Sequence, residues 1–358
     1  MAGRKTKSNH VTILDVARAC GFSTSTVSIV LNEAPLSRYV AATTKLLVKK
    51  TAEEMGYHPD ASARSLRSRR SQTVGVIHFD LSDPFCTLIL RGIQEALDAT
   101  PYLPIIMDAR NERKQFEGYL NMLVERRVEG VIVVANWLFE EGELLRDLRK
   151  IRVPIVVVGR DLTDSKISSV IVDNEAGGYA ALAHLYALGH RKIAIIRGPE
   201  KLHDSVRRWE GMMRFADEHA LKIEPNAVVE LPGSLDPASG FAGGMRLAQQ
   251  LLDAKADFTA LAAFDDLTAL GAIRTLTAAG RRVPDDCSII GFDDIPPAAL
   301  MTPGITTVRQ PMEEMGRLGA EYVLQAMQAS EMAESTTTTM QLLAPSLVVR
   351  SSTIAMVT

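Results

Sequence analysis

Cysteines are few in this sequence and long hydrophobic runs are missing, and both shortages narrow what the chain can be. Its 358 residues include three cysteines, Cys20, Cys86 and Cys287. They are far apart, odd in number and without the paired spacing of a metal site, so they read as buried thiols. No stretch of 18 or more apolar residues occurs, and the N-terminus, with Arg4, Lys5 and Lys7 followed by polar residues, lacks the apolar centre of a signal peptide. The expected location is therefore the cytoplasm. A glycine-rich phosphate loop is absent as well, because Gly240, Gly243 and Gly244 follow no strand. His203 with Asp204, or Asp265 with Asp266, could be imagined as acid-base pairs, but no nucleophile stands at a fixed spacing from an orienting partner. No enzyme, metal or cofactor is expected.

The chain is too long for one typical domain, and with 46% hydrophobic residues it can build extensive cores. A net charge of −3 conceals an asymmetry. Through Gln72 there are twelve basic and five acidic side chains, a local charge of +7; the remaining 28 basic and 38 acidic residues give −10. A small basic head on an acidic body is the pattern of a protein that meets phosphates at one end only.

That head contains a helix-turn-helix pattern from Thr12 to Asn32. Thr12 and Asp15 form an N-terminal capping pair, and Ile13, Val16, Ala17 and Cys20 share one helical face. Gly21 can take the left-handed backbone that ends this helix, and Ser23 can cap the next two residues later, so the helices meet steeply. The second helix should bury Val27, Val30 and Leu31 and present Thr24, Ser25, Ser28, Ile29 and Asn32, a face suited to a DNA major groove. A third helix, from about Tyr39 to Met55, should close the small core with Val40, Leu46, Leu47, Val48 and Met55. Gly56 and Pro59 stop it, and a short segment from Asp60 to Arg67 reads as a linker that orders only when docked.

From Thr73 the pattern becomes strand, helix, strand. Apolar runs such as Val74 to Phe79, Gly130 to Val134 and Pro154 to Val158 alternate with amphipathic helices, and the same grammar repeats from Val170 to Gly291. Two doubly wound parallel sheets are implied, with a ligand cleft beyond the carboxyl ends of their strands. Asp266 reads as the N-cap of a helix beginning near Leu267.

The segments VTILDVARACGFSTSTVSIVLN, GYHPDASARSLRSRRSQTVGV, the DPF after the first core strand, FDDLTALGAIRTLTAAGRRVPDDCSIIGFDDIP, TPGITTVRQP and LLAPSLVVRSST together resemble the lactose/galactose repressor (LacI/GalR) family over nearly the whole chain. The resemblance implies a ligand-responsive DNA-binding transcriptional regulator, a repressor in the usual case, that works as a homodimer or homotetramer on a near-palindromic operator and so associates with the nucleoid. It implies an all-α headpiece over 1–59, a hinge helix within 60–72, and over 73–358 a two-lobed core like the periplasmic binding proteins. The N-lobe would span about 73–165 and 298–330, and the C-lobe 166–297 and 331–358. Chain crossovers would then lie near Asp161 to Ser168, Asp293 to Ile305 and Glu331 to Thr339. Dimer contacts would come from helix Phe85 to Ala96 and the apolar face of Glu313 to Met327.

Carried over by position, Thr24, Ser25 and Ile29 would face base edges, and Thr12, Ser23, Thr26, Ser28 and Asn32 would lie nearer phosphates. Ala63 and Leu66 would enter the minor groove, with Arg64 and Arg67 on the flanking phosphates. Phe85, Cys86, Asp161, Asp204, Arg208, Leu235, Asp265 and Asp293 would line the cleft for a small effector, a sugar or sugar derivative by default. A free-standing sugar carrier would account for the core but not for the basic head. Three departures stand out: Ile29 replaces the usual arginine, about three extra residues lie between Asn32 and Thr44, and Cys86 replaces a second aromatic. Ile29 could touch a thymine methyl or turn into the headpiece core beside Val30.

Overall fold

The computed structural model describes residues 11–57, 70–135, 141–233, 239–332 and 337–356. They form two compact units divided at Ser71/Gln72. In the first, α1 (Ile13–Cys20) opens with a reciprocal cap, Thr12 N–H donating to Asp15 Oδ2 at 3.0 Å and the Asp15 amide to Thr12 Oγ1 at 3.4 Å. Gly21, at φ +77°, turns the chain by 107° into α2 (Thr24–Leu31), a backbone that only glycine adopts without strain. Ser23 caps α2 by accepting the Thr26 amide at 3.1 Å.

The residues after α2 form a 3₁₀ turn, Pro35–Tyr39, before α3 (Ala42–Glu54). Val16, Ala17, Val27, Val30, Val48 and Ala52 make the core, with Val40, Met55 and Tyr57 at its edge. Leu46 and Leu47 do not join it; they are 72% and 47% exposed. The stripe of α3 that meets α1 and α2 runs through positions 48, 52 and 55, and helical geometry turns 46 and 47 away from it.

The second unit contains two six-stranded sheets. The first uses β1 (Thr73–His78), β2 (Leu103–Asp108), β3 (Gly130–Val134), β4 (Ile155–Val158), β5 (Ser168–Val172) and β11 (Met340–Leu343), in the order β11-β5-β4-β3-β1-β2. The second uses β6 (Ile193–Arg197), β7 (Val228–Glu230), β8 (Ala260–Ala263), β9 (Ser288–Asp293), β10 (Thr306–Arg309) and β12 (Ser346–Val348), in the order β12-β10-β9-β8-β6-β7. Every pairing is parallel except β10 with β12. Helices α4 (Pro84–Asp98), α5 (Arg113–Glu125), α6 (Glu141–Leu148) and α12 (Met312–Glu331) serve the first lobe. The second carries α7 (Asn174–Ala187), α8 (His203–Glu218), α9 (Ser239–Asp253), α10 (Asp266–Ala278) and α11 (Pro296–Leu300).

All three crossovers fall downstream of the expected positions. Strand β5 still pairs with β4, β10 with β9 and β11 with β5. The chain therefore changes lobes at Asp173, at Gln310–Pro311 and at Ala344–Pro345, not near 161–168, 293–305 and 331–339. The N-lobe takes 73–172 and 312–343, and the C-lobe takes 174–309 and 346–356. Strand periodicity reports burial on two faces but not which sheet a strand joins.

The apolar stripes of the two helices expected at the dimer contact face inward. Ile89, Ile93 and Leu97 of α4 and Met312, Met315, Ala320, Val323 and Met327 of α12 are buried inside their own lobe. These two helices touch backbone to backbone: a Cβ on Gly92 would lie 1.9 Å from the Glu313 carbonyl oxygen, and one on Gly316 would lie 2.0 Å from that of Ile89. Gly92→Ala is accordingly expected to force the pair apart and to cost the core about 1–3 kcal/mol, measurable as a lower urea midpoint. An unchanged midpoint would show that α4 and α12 are not held this tightly.

Candidate functional site

In the headpiece, Thr24 and Ser25 are exposed on α2. Ser23 and Thr26 hydroxyls lie 2.9 Å apart in the cap, and Asn32 Nδ2 donates to the Ser28 carbonyl at 2.8 Å and to Ser28 Oγ at 3.1 Å. Four of the expected polar residues thus stiffen the helix ends through their own side chains. Ile29 is half-buried and is not among the side chains that pack on the headpiece core, so a structural role beside Val30 is not what the packing shows. The extra residues are tied in behind α2, with the Ala34 amide donating to the Ile29 carbonyl at 3.1 Å and Lys49 pairing with Glu33 at 2.7 Å. Tyr39 is 73% exposed beneath the Arg38 guanidinium, which lies 4.8 Å from the ring centroid. Ala63, Arg64, Leu66, Arg67 and Leu235 lie outside the described residues.

In the core, the carboxyl ends of the strands deliver side chains to a cavity of about 40 Å³. It is lined by Asp83, Pro84, Phe85, Leu202, Asp204, Arg208, Phe264, Asp265, Leu267, Asp293, Ile295 and Gln310. Of the expected cleft residues, Phe85, Asp204, Arg208, Asp265 and Asp293 meet there. Arg208, on α8, is only 5% exposed. Its Nε donates to Asn174 Oδ1 at 2.8 Å, Nη1 to the Phe264 carbonyl at 2.7 Å, and Nη2 reaches Asp293 Oδ1 at 3.4 Å. Its guanidinium carbon sits 3.6 Å from the Phe292 ring centroid and 4.7 Å from that of Phe264. Gln310 Nε2 donates to Asp293 Oδ1 at 2.6 Å. Burial raises the carboxyls of Asp204, Asp265 and Asp293 above their ordinary range, against the pull of Arg208.

Two expected cleft residues stand elsewhere. Cys86 is fully buried in the N-lobe core, where burial pushes its thiol well up; Phe85 faces the cavity and its neighbour on the helix turns inward. Asp161 lines a larger adjoining cavity of about 450 Å³, shared with Asp204 and His203. Its Oδ1 accepts from the Thr163 amide at 2.9 Å and hydroxyl at 2.6 Å. Asp83, Phe264 and Gln310 went unassigned in the sequence, although DPF, FDD and VRQP held the signal: each stands at or just beyond the end of a strand.

The capping role belongs to Asp265, which accepts the Thr268 amide at 2.6 Å. Asp266 is instead fully buried, accepting the Thr307 hydroxyl at 2.6 Å and the Ile295 amide at 2.9 Å. It clamps α10 to β10 and to the loop before α11. Asp266→Ala should strand both donors and cost about 2–4 kcal/mol in thermal or urea unfolding. Burial also raises the Asp266 carboxyl from 3.8 to about 7, so the folded chain keeps a proton that the unfolded chain has released. That contribution is complete below about pH 4 and is lost as pH rises through 7. Asp266→Asn should show a flatter stability profile across this window; parallel profiles would contradict the assignment.

Comparison with known proteins accords with this architecture. The model for bacterial regulatory proteins of the lacI family matches residues 12–60, and that for a periplasmic binding protein-like domain matches residues 182–353. The HTH-type transcriptional repressor PurR of Pectobacterium carotovorum is 33% identical over 308 residues, covering 86% of this chain and 87% of the relative. That of Vibrio atlanticus is 32% identical over 314 residues, 88% and 91% of the two chains. Among solved structures, the Lac repressor dimer bound to operator and the anti-inducer ONPF superposes with a TM-score of 0.84 at 28% identity, covering 97% of this chain and 100% of the other. The complex of the transcriptional regulator CelR with cellobiose gives 0.70 at 29%, covering 96% and 100%. With both its helix-turn-helix and its two-lobed core accounted for along one chain, the protein belongs to the lacI family of bacterial regulatory proteins, and it is a ligand-responsive DNA-binding transcriptional regulator rather than an enzyme.

Proposed function

We propose that the protein is a homodimeric repressor, acting in the cytoplasm at the nucleoid, whose operator affinity is switched by a small hydroxylated molecule held between the core lobes. The observation that carries this reading is the placement of the cleft on the crossovers. Arg208 is held by Asn174, next to the first, and Asp293 by Gln310, at the second. A ligand that engages Arg208 or Asp293 pulls on the segments about which the lobes turn. It needs only to favour one lobe arrangement over the other to shift the balance between two DNA affinities. Vicinal hydroxyls suit the carboxylates and the guanidinium, which form charge-assisted hydrogen bonds.

In the headpiece, we assign Thr24, Ser25 and Ile29 to base edges. Thr12, Ser23, Thr26, Ser28 and Asn32 hold the helix ends near phosphates, and Ala63, Arg64, Leu66 and Arg67 bind the operator centre with Leu66 as a minor-groove wedge. Exposed apolar residues open to dimer contacts include Leu103 and Ile106 on edge strand β2 and Leu300, 83% exposed, on α11. Two-fold pairing implies a near-palindromic operator.

The test is a binding selection from randomised DNA with the full chain. A two-fold symmetric consensus supports the reading, and retention without sequence preference overturns it. Ile29→Arg is expected to shift one symmetric pair of positions towards G·C by about 1–3 kcal/mol, through a fork to O6 and N7, with the headpiece melting temperature unchanged. An unchanged preference with a lower melting temperature would place Ile29 in the core instead.

A further inference from the structure

The inner cavity is far more acidic than a neutral sugar requires. Asp83, Asp204, Asp265 and Asp293 all line it, and among the described residues Arg208 is the one cationic side chain in the lining. That cation is already committed to Asn174, the Phe264 carbonyl and Asp293, between two aromatic rings. Asp83 and Asp265 each accept a helix N-terminal amide, from Phe85 at 2.9 Å and from Thr268 at 2.6 Å, which offsets part of their charge. Asp204 has neither a hydrogen bond nor an ion pair within the described residues. The side chains whose charge acts on it are Arg208, His203 and Arg160. The other charged group facing the Asp265–Asp293 side is Asp266, whose oxygens are engaged by Thr307 and Ile295. The cavity wall also presents the rings of Phe85 and Phe264, whose faces attract cations.

A neutral sugar could answer Arg208 and Asp293 with its hydroxyls, but it would bring no positive charge to Asp204, the carboxylate left without a hydrogen bond among the described residues. A bare metal ion does not fit the donor set, since among the described residues no three His, Cys, Asp or Glu side chains converge closely enough to hold one. We propose that the effector carries a protonated amine on a hydroxylated frame, an amino sugar or comparable small polyol amine, with the ammonium at Asp204, which lines both cavities, its hydroxyls directed to Arg208 and Asp293 and the rest of its frame in the 450 Å³ cavity. This rests on the effector-switched reading above and specifies its ligand. Asp204 then sets specificity, because it is the carboxylate that finds its counter-charge in the ligand.

The experiment is thermal unfolding of the full chain near pH 7 against matched triplets: glucosamine, glucose and N-acetylglucosamine, with the corresponding galactose and mannose sets. At least one amino sugar should raise the melting temperature by roughly 5 °C at a hundredfold excess over its Kd, while the parent and N-acetylated members of that triplet do not. Asp204→Asn should melt no lower than wild type without ligand, showing that it folds, yet should bind the amine at least tenfold more weakly by calorimetry. A neutral member that stabilises as well as its amine overturns the proposal while leaving the effector cleft intact. An absence of stabilisation by every amine overturns it too, and the regulator reading then stands or falls on the operator selection alone.

Discussion

One buried cation organises the core. Arg208 would be prohibitive to bury alone, and each of its contacts is a structural element it therefore ties down. Through Asn174 it holds the first crossover; through the Phe264 carbonyl and Asp293 it holds the ends of β8 and β9; through Asp293 it reaches Gln310 at the second crossover. Phe292, stacked on the guanidinium, lies so close to Gly177 that a Cβ there would fall 2.5 Å from the ring and 3.4 Å from Pro345, at the third crossover. Two of the three segments that join the lobes are thus tied to this side chain by hydrogen bonds, and the third lies beyond Gly177, behind the ring stacked on it. On the reading proposed above, a ligand that engages this side chain acts on the lobe angle as well.

The lobes themselves are built to move as bodies. The central strands of their sheets are buried on both faces, and α4 and α12 meet backbone to backbone across Gly92 and Gly316. Cores packed in this way resist continuous deformation. The headpiece is economical by comparison: six buried apolar side chains and side-chain caps at the N-terminal ends of α1 and α2 fix the angle at which α2 is presented. Its stability resides in local geometry, which leaves the polar face of α2 free of any packing duty except at its ends.

Much of this was readable from the residues because the signals are local. Capping by Thr12, Asp15 and Ser23, the glycine turn at Gly21 and the run Gly130–Val134 all follow from neighbours in sequence. What escaped was decided by partners far along the chain. Whether Met340–Leu343 belongs to the first or second sheet depends on its pairing with Ser168–Val172, 168 residues earlier, and periodicity carries no record of it. Leu46 and Leu47 read as core because they are apolar, yet the stripe geometry of α3 excludes them. At the cleft, Arg208, Asp265 and Asp293 were found by position. Asp266 reads as a cap in the sequence because its hydrogen-bond partners, Thr307 and Ile295, are a strand and a loop away. Cys86 was misplaced by one residue's rotation about a helix.

The central claim is that DNA binding and lobe arrangement are two views of one equilibrium. It is tested most directly by measuring the distance between the lobes with spin labels at Glu125→Cys and Lys222→Cys, both exposed sites on opposite lobes, in a Cys20→Ser background. Selected operator DNA should narrow the distance distribution to one population, and an effector should move that population in free protein and in the complex. A distribution that neither operator nor effector changes, in a protein whose operator affinity the effector does change, would contradict the account.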